Sequence, residues 1–171
     1  MNREDLKTAV VFDRDSCLSL TRHRWHLSPM ADPERTWDDY CAAAGGDQPN
    51  PGAVRAARLH YPHHQVHVCS GSQDSAEAVT RRWLAEQHVP FDALRLRAAG
   101  DHTPNGALKA RYVLELRAQG IEVVLFYEDH PDAAAEIYRL TGVPVLGVNP
   151  FYPDDAEKFR RQVFDGAGGG L

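Results

Sequence analysis

The stretch T-A-V-V-F-D-R-D-S-C-L, residues 8–18, decides the fold. Its apolar run, residues 9–12, is short, β-branched and unbroken, which predicts a strand buried on both faces of a sheet. The run stops at Asp13 and Asp15, and because Asp is a poor strand residue the two carboxylates mark the C-terminal end of the strand. Ligands bind at that end in open α/β sheets. Two close carboxylates repel, so the pair predicts a bound divalent metal or one protonated acid, with two helix-capping acids as the alternative.

Composition predicts a single domain that is soluble and globular. The chain has 171 residues, of which 25% are charged and 43% hydrophobic. Its formal net charge of −5 excludes an overall basic field for long duplex DNA but allows a local basic patch. The three cysteines form no C-x-x-C pair, which argues against a disulfide framework and predicts a cytoplasmic protein. No apolar run reaches membrane-spanning length and the first residues lack a signal-peptide pattern, so we expect no membrane partner.

Strands and helices alternate along the rest of the chain. This alternation predicts a parallel sheet of about five strands with helices on both faces. The last residues, 166–171, are glycine-rich and predict a flexible tail. After the first strand, further strands are predicted over residues 65–69, 91–96, 121–127 and 143–148, and helices over 51–60, 73–87, 103–119, 133–140 and 154–164.

Residues 19–50 are too long for a simple strand-to-helix connection. Such connections are commonly lids or binding loops, so we interpret this segment as a small insert that covers the strand end. In it, Arg22 and Arg24 could bind a phosphodiester while Trp25 stacks on a base. The alternative is that Trp25 packs the insert onto the domain.

Further polar residues follow the later strands. Ser70-Gly71 comes after the second strand, where a hydroxyl and main-chain N–H groups at a helix start could hold a phosphate; an ordinary helix cap is the alternative. Lys109 lies near the start of a later helix, an unfavourable place for a cation unless it faces an anionic site or solvent. Glu128 and Asp129 follow the fourth strand. All these positions fall on one edge of the predicted sheet, so the side chains could converge there.

Taken in order, these residues resemble the four signatures of the haloacid dehalogenase-like phosphatase superfamily. The matching residues are Asp13 and Asp15 in D-x-D, then Ser70, Lys109 and the acidic pair Glu128-Asp129. A narrower likeness, over residues 8–148, is to the phosphatase domain of bacteriophage polynucleotide kinase-phosphatases. It is carried by P-N-P-G-A-V at 49–54, R-A-A-G-D at 97–101 and the segment from Asp129 through Tyr138-Arg139 to Gly142-Val143. The chain has no G-x-x-x-x-G-K-[ST], so it has no kinase of the P-loop type.

Three departures from the superfamily pattern affect expected substrate contacts. Ser16-Cys17 replaces Gly-Thr, Ser72 replaces a phosphate-binding arginine, and His130 replaces an arginine after the acidic pair. The proposed catalytic groups are all retained. Arg22 or Arg24 could take the place of the missing arginine.

The resemblance implies a Rossmann-like fold with a small cap-like insert, and Mg²⁺-dependent hydrolysis of a phosphomonoester through an aspartyl-phosphate. Asp13 is then the nucleophile and Asp15 the acid and base, while Ser70 and Lys109 bind the phosphoryl group. The implied substrate contacts are Arg22, Arg24 and Gly71, and the implied metal ligands are Asp13, Asp15 through its main-chain carbonyl, Asp129 and Glu128.

The substrate implied by the narrower likeness is a phosphorylated nucleic-acid end or nucleotide, with the phosphate on the 3′-oxygen. Three alternatives remain: a phosphatase of a small ester such as a sugar phosphate, an inactive binding module of the same fold, and a signalling receiver domain. The receiver domain is disfavoured because Lys109 precedes the second acidic cluster. The sequence carries no prediction of oligomeric state.

Overall fold

A computed structural model of the chain describes residues 3–149, apart from the side chain of Glu4. The helix predicted over residues 154–164 and the tail predicted over 166–171 lie outside the described residues.

A parallel five-stranded sheet forms the centre of the fold, in the strand order β5-β4-β1-β6-β7. Its middle strand, β1, is buried along almost its whole length, as the apolar run predicts. This arrangement confirms the predicted fold class, including the small insert after the first strand. The insert contains an antiparallel ladder that was not predicted. The strands are β1 (Thr8–Asp13), β2 (Ser19–Leu20), β3 (Gln48–Pro49), β4 (Gln65–Gln73), β5 (Ala93–Arg97), β6 (Glu122–Glu128) and β7 (Val145–Gly147).

Helices cover both faces of the sheet. Successive side chains of β1 point to opposite faces and so pack in two separate cores. Val10 and Phe12 pack in one core and Val11 packs in the other. The second core also holds Leu108 and Ile137, which come from helices on that face. The helices are α1 (Trp37–Ala42), α2 (Pro51–His60), α3 (Glu77–Glu86), α4 (Asn105–Ala118) and α5 (Pro131–Thr141).

The insert over residues 19–50 begins and ends on one short ladder. Strand β2 pairs antiparallel with β3, so the two ends of the insert lie side by side. Between them are α1 and two 3-10 helices, Arg22–Leu27 and Ala43–Gly46. Thr36 and Asp39 form a reciprocal capping box that begins α1.

The prediction of a helix from residue 73 was wrong. Strand β4 continues past Ser70 to Gln73, which pairs with Arg97 on β5, and α3 begins only at Glu77. A 3-10 helix, Asp74–Ala76, lies between the end of β4 and α3, so Ser70 lies within a strand and not at a helix start. Among residues 3–149, no helix has both the length and the apolar character needed to cross a membrane.

Candidate active site

The register of three neighbouring strands brings the predicted site residues to one edge of the sheet. Asp13 lies level with Cys69 on β4, so Ser70 follows immediately. On the other side Phe12 lies level with Tyr127, which places Glu128 next to Asp13. The acidic ends of β1 and β6 therefore meet, as the sequence predicts.

Lys109 bridges these two acidic ends. Its Nζ lies 2.7 Å from Asp13 Oδ1 and 2.6 Å from Glu128 Oε2. The side chain is buried, so burial acts to lower its pKa, but the two carboxylates outweigh burial and raise the pKa above its usual value. Lys109 is therefore not a solvated helix lysine, which was the alternative in the sequence analysis.

Three carboxylates form a cluster at this edge. One oxygen from each of Asp13, Glu128 and Asp129 lies within 4.8 Å of the others. Burial raises the pKa of Asp13 well above its usual range despite Lys109, and burial together with Glu128 raises the pKa of Asp129 to about 6. When ionised, the cluster and Lys109 carry a net charge of −2. Oxygen ligands and this excess charge suit Mg²⁺, so the residues fit the predicted cofactor.

Asp15 lies apart from this cluster and is held by four donors. Arg14 and Arg24 each donate to Oδ1 at 2.5 Å, and the hydroxyls of Ser72 and Ser70 donate to Oδ2 at 2.7 and 3.3 Å. Burial alone would raise the pKa of Asp15, but the two guanidinium groups outweigh burial and hold it below its usual range. Asp15 is therefore a carboxylate held in place by protein groups, and metal binding through its main-chain carbonyl stays a prediction.

Asp47, which the sequence analysis missed, holds the two arginines in place. Arg24 donates to its carboxylate through Nε at 2.7 Å, and Arg14 donates to it at 2.6 Å. Arg24 is buried and also donates to the main-chain oxygen of Tyr40. This placement differs from the prediction that Arg24 contacts substrate, because its guanidinium is surrounded by protein.

A cavity of about 550 Å³ opens above these groups. Arg22 and Arg24 do not line it, whereas Gly71 does. Arg22 is exposed and lines a separate hollow of about 470 Å³ together with Trp25. The wall residues are Trp25, Trp37, Tyr40 and Cys41 from the insert, Ser72 and Gln73 from β4, Arg97 from β5, Asp101, His102, Thr103 and Pro104 from the loop after β5, Asn105 from α4, and His130 after β6.

Two further wall residues had no assigned role in the sequence analysis. Arg97 donates to the main-chain oxygen of Gly71 and to two carbonyls of the following loop. Asn105 begins α4 and approaches Gly71 so closely that a Cβ there would overlap its side-chain oxygen. Arg97 belongs to the R-A-A-G-D stretch, which was the available signal; the position of Asn105 depends on packing between distant segments.

The residues that depart from the superfamily pattern have local roles. Ser16 adopts φ 62°, the left-handed region that favours the glycine usual there, and its hydroxyl lies 2.7 Å from that of Thr21. Cys17 is buried in the core, like the other two cysteines, and all three are free thiols. Ser72 holds Asp15, and His130 is exposed at the cavity wall.

Solved structures identify the class of fold. A chain of the Pnkp1/Rnl/Hen1 RNA repair complex superposes with a TM-score of 0.71 at 22% identity, over 84% of this chain and 43% of that chain. L-2-haloacid dehalogenase from Xanthobacter autotrophicus superposes at 0.57 with 15% identity, over 93% and 84% of the two chains. A haloacid dehalogenase-like family hydrolase from Xanthomonas campestris gives 0.60 with 9% identity, over 98% and 97%. The chain has the haloacid dehalogenase superfamily fold.

The match to the RNA repair complex covers only part of the matching chain in that complex. This protein spans less than half the length of the two RNA repair chains it matches, 43% and 47%. No protein-family model and no curated protein matches the sequence.

Proposed function

We propose that the protein is a Mg²⁺-dependent phosphomonoester hydrolase that acts through an aspartyl-phosphate on Asp13. One observation carries this proposal: Asp13, Glu128 and Asp129 converge within 4.8 Å, with Lys109 between two of them, beneath an open cavity. A structural ion pair alone would not need a third carboxylate. When bound, Mg²⁺ would offset the repulsion between the carboxylates and a phosphate dianion.

In the first step Asp13 forms a bond from its carboxylate oxygen to phosphorus while the bond from phosphorus to the leaving oxygen breaks. Lys109 stabilises negative charge on the transferred phosphoryl oxygens and holds Asp13 at the end of β1. Ser70 donates its hydroxyl to a phosphoryl oxygen. The leaving oxygen needs a proton, which Asp15 would deliver.

Asp15 starts as a carboxylate, so its role as an acid needs a change on substrate binding. The incoming phosphate is a like charge, and it draws Ser70 away from Oδ2 of Asp15; both effects raise the pKa of Asp15 and favour its protonation. In the second step Asp15 takes a proton from the water that attacks the phosphorus. Inorganic phosphate leaves and the Asp13 carboxylate is restored.

The proposed substrate is a nucleotide or single-stranded nucleic-acid end that carries a 3′-phosphate. The likeness to a chain of an RNA repair complex supports this class. Arg22 lines the hollow beside Trp25, and we assign it contact with the next phosphodiester. Arg24, buried against Asp15 and Asp47, we assign to positioning Asp15 rather than to substrate. The expected compartment is the cytoplasm.

The test is release of phosphate by wild type and Asp13→Asn from a panel of esters, with and without Mg²⁺. The panel contains a 3′-phosphorylated oligonucleotide, a nucleoside 3′-monophosphate, a 5′-monophosphate and a sugar phosphate. We expect Mg²⁺-dependent turnover by the wild type, fastest on the 3′-phosphates, and none by Asp13→Asn because an amide cannot act as the nucleophile.

Asp132→Asn is the matched control, since Asp132 is an exposed acid on α5 that does not line the cavity. It should retain wild-type turnover. Turnover by a clean preparation of Asp13→Asn would refute the mechanism, and equal rates across the panel would refute the substrate class.

A further inference from the structure

Two exposed indoles line the cavity that contains Asp13. Trp25 is 49% exposed and Trp37 is 43% exposed, and both belong to the insert. Large aromatic side chains contribute most when buried, so two half-exposed indoles that line one cavity are typical of a surface that is covered by a ligand.

Contacts within the insert fix the position of Trp37. The ring of Trp37 lies edge-on to that of Tyr40, at 5.5 Å between centroids and 89° between planes. Tyr40 is buried, and the guanidinium of Arg24 lies 3.8 Å from its ring centroid. Arg24 is in turn paired with Asp15. Trp37 is therefore connected to Asp15, in the loop after β1, by a continuous series of packed groups. Its side chain needs little ordering when a ligand binds.

The cationic side chains of the cavity are already engaged by the protein. Lys109 pairs with Asp13 and Glu128, and Arg97 donates to three main-chain carbonyls. The cavity wall therefore has little charge to bind the part of a substrate that extends beyond its reacting phosphate. Its volume of about 550 Å³ falls in the range that holds a small organic ligand.

We propose that Trp25 and Trp37 form a stacking site for the unpaired base of the nucleoside that carries the phosphate. This inference rests on the proposed function and specifies its substrate: affinity for the leaving group comes from the base. Every base has an aromatic face, so the site accepts all four with small differences. A base-free phosphate ester occupies the same reactive centre without this contribution.

The test compares two 3′-phosphorylated oligonucleotides that differ only in the last residue, which is an adenosine in one and an abasic tetrahydrofuran in the other. The readout is the ratio of their kcat/KM values. For wild type we expect the adenosine end to be favoured by about 10- to 100-fold. Trp25→Ala and Trp37→Ala should each lower that ratio by about tenfold, and Trp37→Phe should retain most of it.

Tyr138→Ala supplies the matched control, because Tyr138 is an exposed aromatic residue on α5 that does not line the cavity. Its ratio should equal that of wild type. A ratio near one in the wild type, or a ratio that both tryptophan variants leave intact, overturns the stacking site even if phosphate is released normally.

A binding experiment separates this inference from the proposed activity. Calorimetric titration of Asp13→Asn with the same two oligonucleotides measures affinity without turnover. Tighter binding of the adenosine end, lost in Asp13→Asn/Trp37→Ala, supports the stacking site even if no ester is hydrolysed. Equal affinity for both ends overturns it.

Discussion

Lys109 is the one cation within 4 Å of both Asp13 and Glu128 among the described residues. Each carboxylate is almost completely buried, and so is the ammonium group. A buried ion pair adds modest net stability, because both charges lose their hydration. Removal of one partner lowers stability much more, because the other charge is then left buried and uncompensated. The lysine therefore matters to stability, apart from its proposed part in phosphate binding.

Lys109→Met should lower the free energy of unfolding by about 3–5 kcal/mol at pH 7.5 in Mg²⁺-free buffer. The loss should shrink as the pH falls, because carboxylates without a counter-ion take up protons. Added Mg²⁺ should restore part of it. Denaturant unfolding with and without Mg²⁺ measures these effects, and Lys7→Met, at an exposed lysine, is the control. A loss below about 1 kcal/mol would mean that Lys109 does not compensate the acidic cluster.

At the scale of elements, α4 connects the site to the second layer of helices. Asn105 and Lys109 are four residues apart and so share one face of the helix. Between them Gly106 packs against α5, where a Cβ would lie 2.7 Å from Glu136 Cβ and 3.1 Å from Ala133 Cα. The nearest atoms to a Cβ at Gly71 would instead belong to the end of the Asn105 side chain. The two glycines thus permit close approach for different reasons, one to a helix and one to a movable amide.

Gly106→Ala and Gly71→Ala should therefore affect different properties, stability in the first case and turnover in the second. Gly106→Ala forces α5 away, and this overpacking, about 1–3 kcal/mol, exceeds the roughly 1 kcal/mol that alanine gains over glycine in a helix. We expect a measurable net loss of stability. Gly71→Ala should displace Asn105 and lower turnover by at least about tenfold with little change in stability. Unfolding curves and phosphate release distinguish the pair, and the reverse pattern would contradict the packing described.

The sequence predicted the elements better than the contacts between them. Strand β1 and its two acids could be predicted because burial and charge change abruptly at Asp13. The end of β4 could not, since Gln73 is held in the strand by Arg97 of β5. The pairing of Arg24 with Asp47 was missed for the same reason: it depends on how the insert folds, and local sequence does not record that. Convergence of Asp13 and Asp129 was predictable because both acids follow strands of a parallel sheet, whose carboxyl ends share one edge.

For the whole molecule, His67 links stability to pH. It lies buried on β4, and burial together with Arg95 lowers its pKa to about 4, against an opposing effect of Asp92. In the unfolded chain its pKa is about 6.5. Between pH 6.5 and 4 the unfolded state therefore binds more protons than the native state, so stability falls as the pH falls. The shift corresponds to roughly 3 kcal/mol, present in full above pH 6.5.

His67→Gln should remove this contribution. The variant should lose less stability than wild type when the pH is lowered from 7 to 4.5, measured by urea unfolding at each pH. All other groups titrate in both proteins, so the difference between the two curves isolates His67. His63→Gln, at an exposed histidine, controls for the loss of an imidazole. Parallel curves for wild type and His67→Gln would show that His67 is protonated equally in both states.

Asp47 belongs to the insert and Asp15 to the loop after β1, yet both bind the same two guanidinium groups. An outward swing of the insert that carried Asp47 with it would take a counter-ion from Arg14 and Arg24 while it widened the entrance. The contacts of Asp47 with both arginines therefore couple the seating of the insert to the charge environment of the Asp15 carboxylate.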